Sequence, residues 1–278
     1  TDVIRSRAVD FIHQSRAKGS PFFLFVSVYA PHGPFIPAPR HAGMYDDLTY
    51  PQTPSFNEQD LSDKPSVIQA LTMTGDEFDE NDANAFFRRR AGTLPAVDEM
   101  VEEIIRLLEQ TDELDNTYIF FLSDNGYRTG QHGIPSGKGT AYEEDIRVPL
   151  LVRGPGIQPN IRIDHLVANI DLAPTIADMA GVPPSRSVDG RSFLPLLEQR
   201  DMALRKVLLI VLGYDFVMQA SAGARAISFS SEGLDPWVLT DPENDNLLVD
   251  AMDGNYRGIR GERFVYIEYA NGEMEFYD

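Results

Sequence analysis

The sequence predicts an α/β fold, with a mixed, mostly parallel sheet and flanking helices over residues 1–200 and a small antiparallel α+β subdomain over residues 201–278. Three observations carry the prediction. Strand-length apolar runs alternate with segments of helical period through the first part of the chain, the layout of an α/β layer structure. The strongest run, Phe22 to Tyr29, is almost unbroken, as a parallel strand covered on both faces would be. After about Arg200 the texture shifts to short strand-length runs, with Asn271-Gly272 as a hairpin signal between the last two.

Ile4, Ala8, Phe11 and Ile12 fall at helical spacing, and Gly19-Ser20-Pro21 ends that helix. The Phe22 to Tyr29 strand then runs into Ala30-Pro31-His32-Gly33-Pro34, with Pro37 and Pro39 beyond, which continues neither helix nor strand and is a rigid loop. Asp46 to Asp82 is a polar excursion with one short helix around Val67 to Leu71. Arg88-Arg89-Arg90 reads as a solvated charge run. Val97, Met100, Val101, Ile104, Ile105 and Leu108 form one apolar stripe opposite Asp98, Glu99, Glu102 and Glu103, which predicts an amphipathic helix. Thr117 to Leu122 is a second buried strand, ending in Ser123-Asp124-Asn125-Gly126. Val148 to Val152 is a third, closed by the Gly154-Pro155-Gly156 turn, and Arg147 before it is read as tying loops together through buried pairing. Asp171 to Ala180 is a short helix with Pro174 in its first turn. Val207 to Leu212, Tyr256 to Ile259, Phe264 to Tyr269 and Met274 to Tyr277 are the short strands of the second unit.

Composition excludes several functions. The chain holds 43 Asp plus Glu against 24 Lys plus Arg, a net charge of -19, so it lacks the basic footprint of a nucleic-acid binder. An anion site on such a chain must be a local cationic pocket in a repelling surface. With no cysteine, disulfides, thiolate metal sites and a cysteine nucleophile are absent from these 278 residues. No apolar run approaches the ~20 residues that span a bilayer.

In open α/β sheets, functional groups collect on loops beyond the carboxyl ends of the strands. His32 follows the first strand and Asp124 with Asn125 follows the second. Asp124 and Asn125 offer adjacent hard oxygens suited to calcium or magnesium, although Asp-Asn-Gly is also a common turn. His32 suits protonation of a leaving group, or equally a loop histidine satisfying a backbone carbonyl. Lys138, in Gly137-Lys138-Gly139-Thr140, sits where flanking glycines allow close approach of an anion, without the spacing of a nucleotide-binding loop. His132, in Gly130-Gln131-His132-Gly133, is a weaker substrate-binding candidate.

Taken in order, these segments resemble the sulfatases of the alkaline-phosphatase superfamily. Pro21-Phe22-Phe23-Leu24-Phe25 through Ala30-Pro31-His32-Gly33-Pro34 resembles the strand leading to that family's active-site histidine. Ser123-Asp124-Asn125-Gly126-Tyr127, Gly130-Gln131-His132-Gly133, Gly137-Lys138-Gly139-Thr140, Tyr142-Glu143 and Arg147-Val148-Pro149-Leu150 resemble its metal and sulfate loop. Asn169-Ile170-Asp171-Leu172-Ala173-Pro174-Thr175-Ile176 and Val188-Asp189-Gly190-Arg191-Ser192 extend the pattern, and Phe264 to Asp278 looks like its closing strands. Gly213 to Asp253 matches little of it. The detail around Asp124 to Gly156 is closest to sulfatases of sulfated sugars, the N-acetylglucosamine-6-sulfatase group among them.

The resemblance implies an alkaline-phosphatase-like fold and hydrolysis of sulfate esters of sugars or glycosaminoglycans. It implies that Asp124 and Asn125 bind Ca2+ (with Mg2+ as the alternative), that His32 and Lys138 contact the sulfate ester as catalytic residues, and that His132 assists in substrate binding. It also implies a formylglycine nucleophile made from Cys or Ser, whose Cys/Ser-x-Pro-x-Arg motif is missing from this sequence, so the chain by itself is expected to be inactive. The partners implied are a sulfated carbohydrate and an N-terminal chain of the same protein, without nucleic acid or membrane span, in a periplasmic or secreted setting with a lysosomal one as alternative. Arg128 stands where the family often has histidine, a departure that leaves open whether the pocket is altered. Two competing readings are a phosphate or phosphonate ester hydrolase of the same superfamily and a non-catalytic anion- or glycan-binding remnant. Removal of central strands would bare sheet edges and apolar faces, which predicts poor solubility alone.

Overall fold

The computed structural model describes residues 1–72, 78–183, 187–198, 204–212 and 256–278. The low-resemblance stretch from Gly213 to Asp253 lies outside them. Helix α1 (Asp2–Ala17) buries Ala8 and Ile12, the inner half of the predicted stripe. Helix α2 (Ser66–Thr72) is the short helix expected in the polar excursion. Helix α3 (Glu80–Thr93) was not anticipated. Its start is a capping box in which the Asp79 carboxylate accepts from the backbone of Asn81 and Asp82 while Asp82 accepts from the Asp79 N–H. Helix α4 (Pro95–Gln110) follows after Leu94, with Pro95 at its first position where no intrahelical N–H is needed. Its buried residues Val97, Met100, Leu107 and Leu108 fall on the predicted stripe and its continuation.

Strand β1 (Ile119–Leu122) pairs with β4 (Leu150–Arg153), and the pairing is antiparallel, Phe121 opposite Leu151. The predicted mostly parallel sheet is therefore not found: every strand pair among the described residues is antiparallel. The reason lies in the connection. Between β1 and β4 come a small hairpin, β2 (Arg128–Thr129) with β3 (Ser136–Gly137), and the single-turn helix α5 (Glu143–Ile146), with no long crossover helix to return the chain in parallel. The β1–β4 pair is covered on one face by Phe193, Leu196 and Leu197 together with Leu172 and Met179, from helices α6 (Leu172–Met179) and α7 (Leu194–Leu197) and the residue before α7. On the other side Ile119 joins Ile12, Leu107 and Leu108 of α1 and α4.

Phe22 to Tyr29 is not a doubly covered strand. It carries no ladder among the described residues, and its exposure alternates residue by residue. Phe22 and Leu24 pack into the α1–α4 cluster, whereas Phe23, Phe25 and Tyr29 are 66%, 77% and 64% exposed. An unbroken apolar run cannot distinguish one covered face from two, and the described residues bring helices to one side. The C-terminal strands β5 (Val207–Leu212), β6 (Tyr256–Gly261), β7 (Val265–Tyr269) and β8 (Met274–Tyr277) form the expected antiparallel sheet, in sequence order. Its inner face packs Tyr256, Val265, Ile267 and Tyr269 against Ala141. The Asn271-Gly272 turn closes as predicted, with Gly272 at φ 87° and its N–H donating to the Tyr269 carbonyl at 2.9 Å. The C-terminal sheet thus buttresses the loop between β3 and β4.

Candidate active site

Strand β1 delivers Ser123-Asp124-Asn125-Gly126 at its carboxyl end, as the sequence suggested. The local hydrogen bonds are those of a turn. The Asn125 N–H donates to Asp124 Oδ1 at 3.0 Å and the Asn125 amide nitrogen to the Gly126 carbonyl at 2.7 Å. Asn169 reaches across to donate to the carbonyls of Ser123 and Asp124, both at 3.2 Å. With the amide nitrogen of Asn125 so committed, its oxygen is turned away from Gly126. A Cβ on Gly126 would stand 1.9 Å from the Glu144 carbonyl oxygen, so this residue must be glycine for the two loops to meet. The Gly126 N–H then donates to the Asp145 carbonyl at 2.8 Å.

His32 sits between the cis peptide bonds Ala30–Pro31 and Gly33–Pro34. Its backbone N–H donates to Tyr29 at 2.8 Å, its ring lies 4.9 Å from the Tyr29 ring, and Nδ1 meets the Gly33 carbonyl at 2.9 Å. A neutral ring with that contact carries its proton on Nδ1. Three residues on, Phe35 packs edge-on against Phe86 of α3 at 4.9 Å, and Phe86 stacks on Tyr127 at 5.5 Å. Helix α3 therefore joins the His32 loop to the Asp124–Asn125 loop. The Arg88-Arg89-Arg90 run, read as solvated, is half-buried in this contact: Arg88 donates to the Leu48 carbonyl at 2.6 Å, and the Arg90 guanidinium lies 4.0 Å from the Tyr127 ring. The charges turn inward because Phe86 and Arg90 are four residues apart on one helix face.

The loop from β2 to β4 is organised around a buried ion pair. Arg128 is 0% exposed, and its Nε donates to Asp145 Oδ1 at 3.2 Å. Its Nη2 donates to the Lys138 carbonyl at 3.3 Å. Asp145 Oδ2 accepts from both the N–H and the hydroxyl of Thr140, each at 2.7 Å. Burial pushes the Asp145 carboxyl upward, and the Arg128 charge and the Thr140 bonds oppose it. Arg128, the departure from the family's usual histidine, is closed to solvent and lies behind the loop. Arg147 departs from its expected buried pairing. Its side chain is 70% exposed and meets Glu143 at 3.6 Å, so it makes no buried pair. The buried arginine of this loop is Arg128, which no local pattern distinguished from Arg147.

His132 takes other partners. Its Nδ1 meets Glu58 at 3.0 Å and its ring lies 4.2 Å from Tyr142. His132 and Tyr142 line a cleft of about 240 Å³ with Ser55, Glu144, Val265 and Tyr277, where the polar excursion, the loop and the C-terminal sheet meet.

The Sulfatase family model matches residues 1–182 of the chain. The chain belongs to the sulfatase family. It is 45% identical over 199 residues to the N-acetylglucosamine-6-sulfatase of Homo sapiens, covering 71% of this chain and 36% of that protein. It is 39% identical over 206 residues to the extracellular sulfatase SULF-1 homolog of Drosophila melanogaster, covering 73% of this chain and 18% of the relative. The chain thus spans about a third of the length of the N-acetylglucosamine-6-sulfatases it matches. Among solved structures, BT4656 in complex with its substrate D-glucosamine-2-N, 6-O-disulfate aligns with TM-score 0.69 at 24% identity, covering 100% of this chain and 62% of that one. A phosphonate monoester hydrolase from Silicibacter pomeroyi aligns with TM-score 0.74 at 21% identity, covering 99% and 53%. These two likenesses establish the shared α/β fold.

For a sulfatase, the donor set at Asp124 and Asn125 suits a hard cation in kind and falls short in number. Calcium takes about six to eight oxygens, and among the described residues no group of three His, Cys, Asp or Glu side chains converges. Asp124 Oδ2 and Asn125 Oδ1 take no hydrogen bond among the described residues, and Asp124 is exposed. The sequence did not single out Asn169, Arg90 or Asp145, the partner of Arg128, as neighbours of these candidate residues. Arg90 had a sequence signal in its helical spacing from Phe86, and Arg128 in standing where the family often has histidine.

Proposed function

We propose that this sulfatase hydrolyses sulfate esters of sugars, with Ca2+ held in part by Asp124 and Asn125 and with His32 and Lys138 at the ester. The observation that carries the reading is the joining of three loops: Phe35, Phe86 and Tyr127 link the His32 loop to Asp124–Asn125, and Arg128 with Asp145 links that loop to Lys138. The Lys138 ammonium offers a compact positive charge to sulfate oxygens within a strongly acidic molecule. His32 in its doubly protonated form, with Nδ1–H held by the Gly33 carbonyl, supplies the Nε2 proton to the departing sugar oxygen. Asp124 and Asn125 supply the anionic and amide oxygens for the cation, which when bound adds charge stabilisation on the sulfuryl group. The sulfatase nucleophile is a formylglycine hydroxyl, and the lack of cysteine places any cysteine-derived one outside these 278 residues. Sulfated glucosamine is the favoured substrate class, from the similarity to N-acetylglucosamine-6-sulfatases.

The test is hydrolysis by the full-length protein of an aryl sulfate and of glucosamine 6-sulfate, against matched phosphate and phosphonate monoesters, with calcium and after chelation. Sulfate-ester cleavage that chelation abolishes, and that Lys138→Ala lowers by roughly 10²-fold or more, is the expected result. Cleavage of the phosphonate with the sulfate untouched overturns it.

A further inference from the structure

We infer that Arg128 is a positioning residue for Lys138, acting through the backbone of the loop; the inference rests on the proposed contact of Lys138 with sulfate. Lys138 stands between Gly137 at φ 133° and Gly139 at φ 100°, and a Cβ on Gly139 would meet nothing within 4 Å. Gly139 is there for its backbone angle and not for lack of room, and such a flanked residue has little intrinsic preference for one orientation. Something else must fix it. The Lys138 carbonyl accepts from Arg128 Nη2 at 3.3 Å, and two residues on Thr140 is clamped by Asp145 through both its N–H and its hydroxyl. One ion pair thus holds the backbone on both sides of Gly139. The main chain of Asp145 also accepts from the Gly126 N–H at 2.8 Å, so the same element sets Lys138 relative to Asp124 and Asn125.

An ion pair closed to solvent is a costly way to stabilise a fold, since well-packed apolar groups of similar volume often do as well. Here the cost is heightened: Arg128 Nη1 is buried with no hydrogen-bond partner among the described residues. What apolar groups could not supply is directed donors to a carbonyl and directed acceptors for Thr140. Arg128 is closed to solvent and is not itself a ligand for the ester. Its effect reaches the substrate through the direction in which the Lys138 side chain leaves the loop.

The experiment is a double-mutant cycle in the full-length protein with calcium present. Arg128→Lys, Lys138→Ala and the pair are compared for kcat and KM on an aryl sulfate, for inhibition by inorganic sulfate, and for melting temperature. Arg128→Lys keeps the buried charge beside Asp145 but cannot reach both acceptors. The expected result is a roughly ten-fold loss in kcat/KM and in sulfate affinity at little-changed melting temperature, most of it vanishing in the Lys138→Ala background. Additive losses, or native sulfate affinity in Arg128→Lys, overturn the inference while leaving Lys138 in its proposed role. If Lys138→Ala itself changes neither turnover nor sulfate affinity, the reading of the site fails and the inference with it. Thr140→Val removes one bond from the same clamp and is the second variant should Arg128→Lys not fold. It is expected to show a smaller loss with the same dependence on Lys138, and independence from Lys138 counts against the inference equally.

Discussion

The Tyr142 hydroxyl donates to Glu275 Oε1 at 2.9 Å, tying the loop that follows Lys138 to the last strand of the chain. Tyr277 donates to the same oxygen and Tyr269 to Oε2, both at 2.5 Å, so one buried carboxylate gathers three phenols. The C-terminal sheet is thereby fastened to the loop by a charged acceptor as well as by apolar contact with Ala141.

Glu275→Gln should weaken that fastening, because an amide replaces one accepting oxygen with a donor facing a phenol. A loss of about 2 kcal/mol is expected from removing a hydrogen-bonded buried charge, read as a lower denaturant midpoint in equilibrium unfolding. A variant as stable as the native protein would show that the three phenols find other acceptors.

Alkaline pH should act on the same cluster. Burial first, and then the Glu275 charge, push Tyr142 well above the ordinary tyrosine value, and burial followed by the Glu275 hydrogen bond does the same for Tyr269. A group whose pKa is raised on folding holds its stabilising contribution below the unfolded value, near 10 for tyrosine, and loses it as pH climbs past that point. Tyrosinate absorbance and loss of near-ultraviolet dichroism are expected to rise together above that pH. Titration of these phenols in a still-folded protein would contradict the arrangement.

Asp171 is 0% exposed and receives Arg205 through two bonds of 2.5 and 2.6 Å, with the N–H groups of Ala168 and Arg191 at 2.8 and 2.7 Å. Burial works to raise this carboxyl, but Arg205 and the two backbone donors outweigh it and hold it below the usual range. A depressed carboxylate contributes stability above its unfolded value, near 3.9, and loses it as pH falls below that. Asp171→Asn should cost about 3 to 5 kcal/mol at neutral pH by stranding a buried Arg205. Urea unfolding across acid pH checks both points: the native protein should weaken below about pH 4, and the variant should be much flatter there.

Gly126→Ala should separate the two halves of the site. The added Cβ meets the Glu144 carbonyl at 1.9 Å, so the backbone must shift where Gly126 binds Asp145. Calcium affinity measured by titration calorimetry is expected to fall with only moderate loss of thermal stability. Unchanged calcium binding would mean that the Asp124–Asn125 oxygens do not depend on this close approach.

Much of the frame was legible in the sequence because it rests on short-range physics. The stripe on α4 and the Asn271-Gly272 hairpin are periodicity and turn chemistry, which few neighbours can override. The loops bearing His32, Asp124–Asn125 and Lys138 could be marked because proline, glycine and polar clusters end regular elements. Helix α3 escaped because its polar first turn, with Asp79 and Asp82, reads as loop until its caps are seen closing on one another.

The sequence by itself determined the family pattern, the loops on which the candidate residues stand and the strongly acidic character of the chain. Tertiary structure decided strand direction, the one-sided cover of Phe22 to Tyr29, and which arginine is buried. Arg128 and Arg147 are alike as residues; one meets Asp145 behind the Lys138 loop and the other faces water beside Glu143. That difference depends on where distant carboxylates arrive after folding, and local sequence holds no record of it.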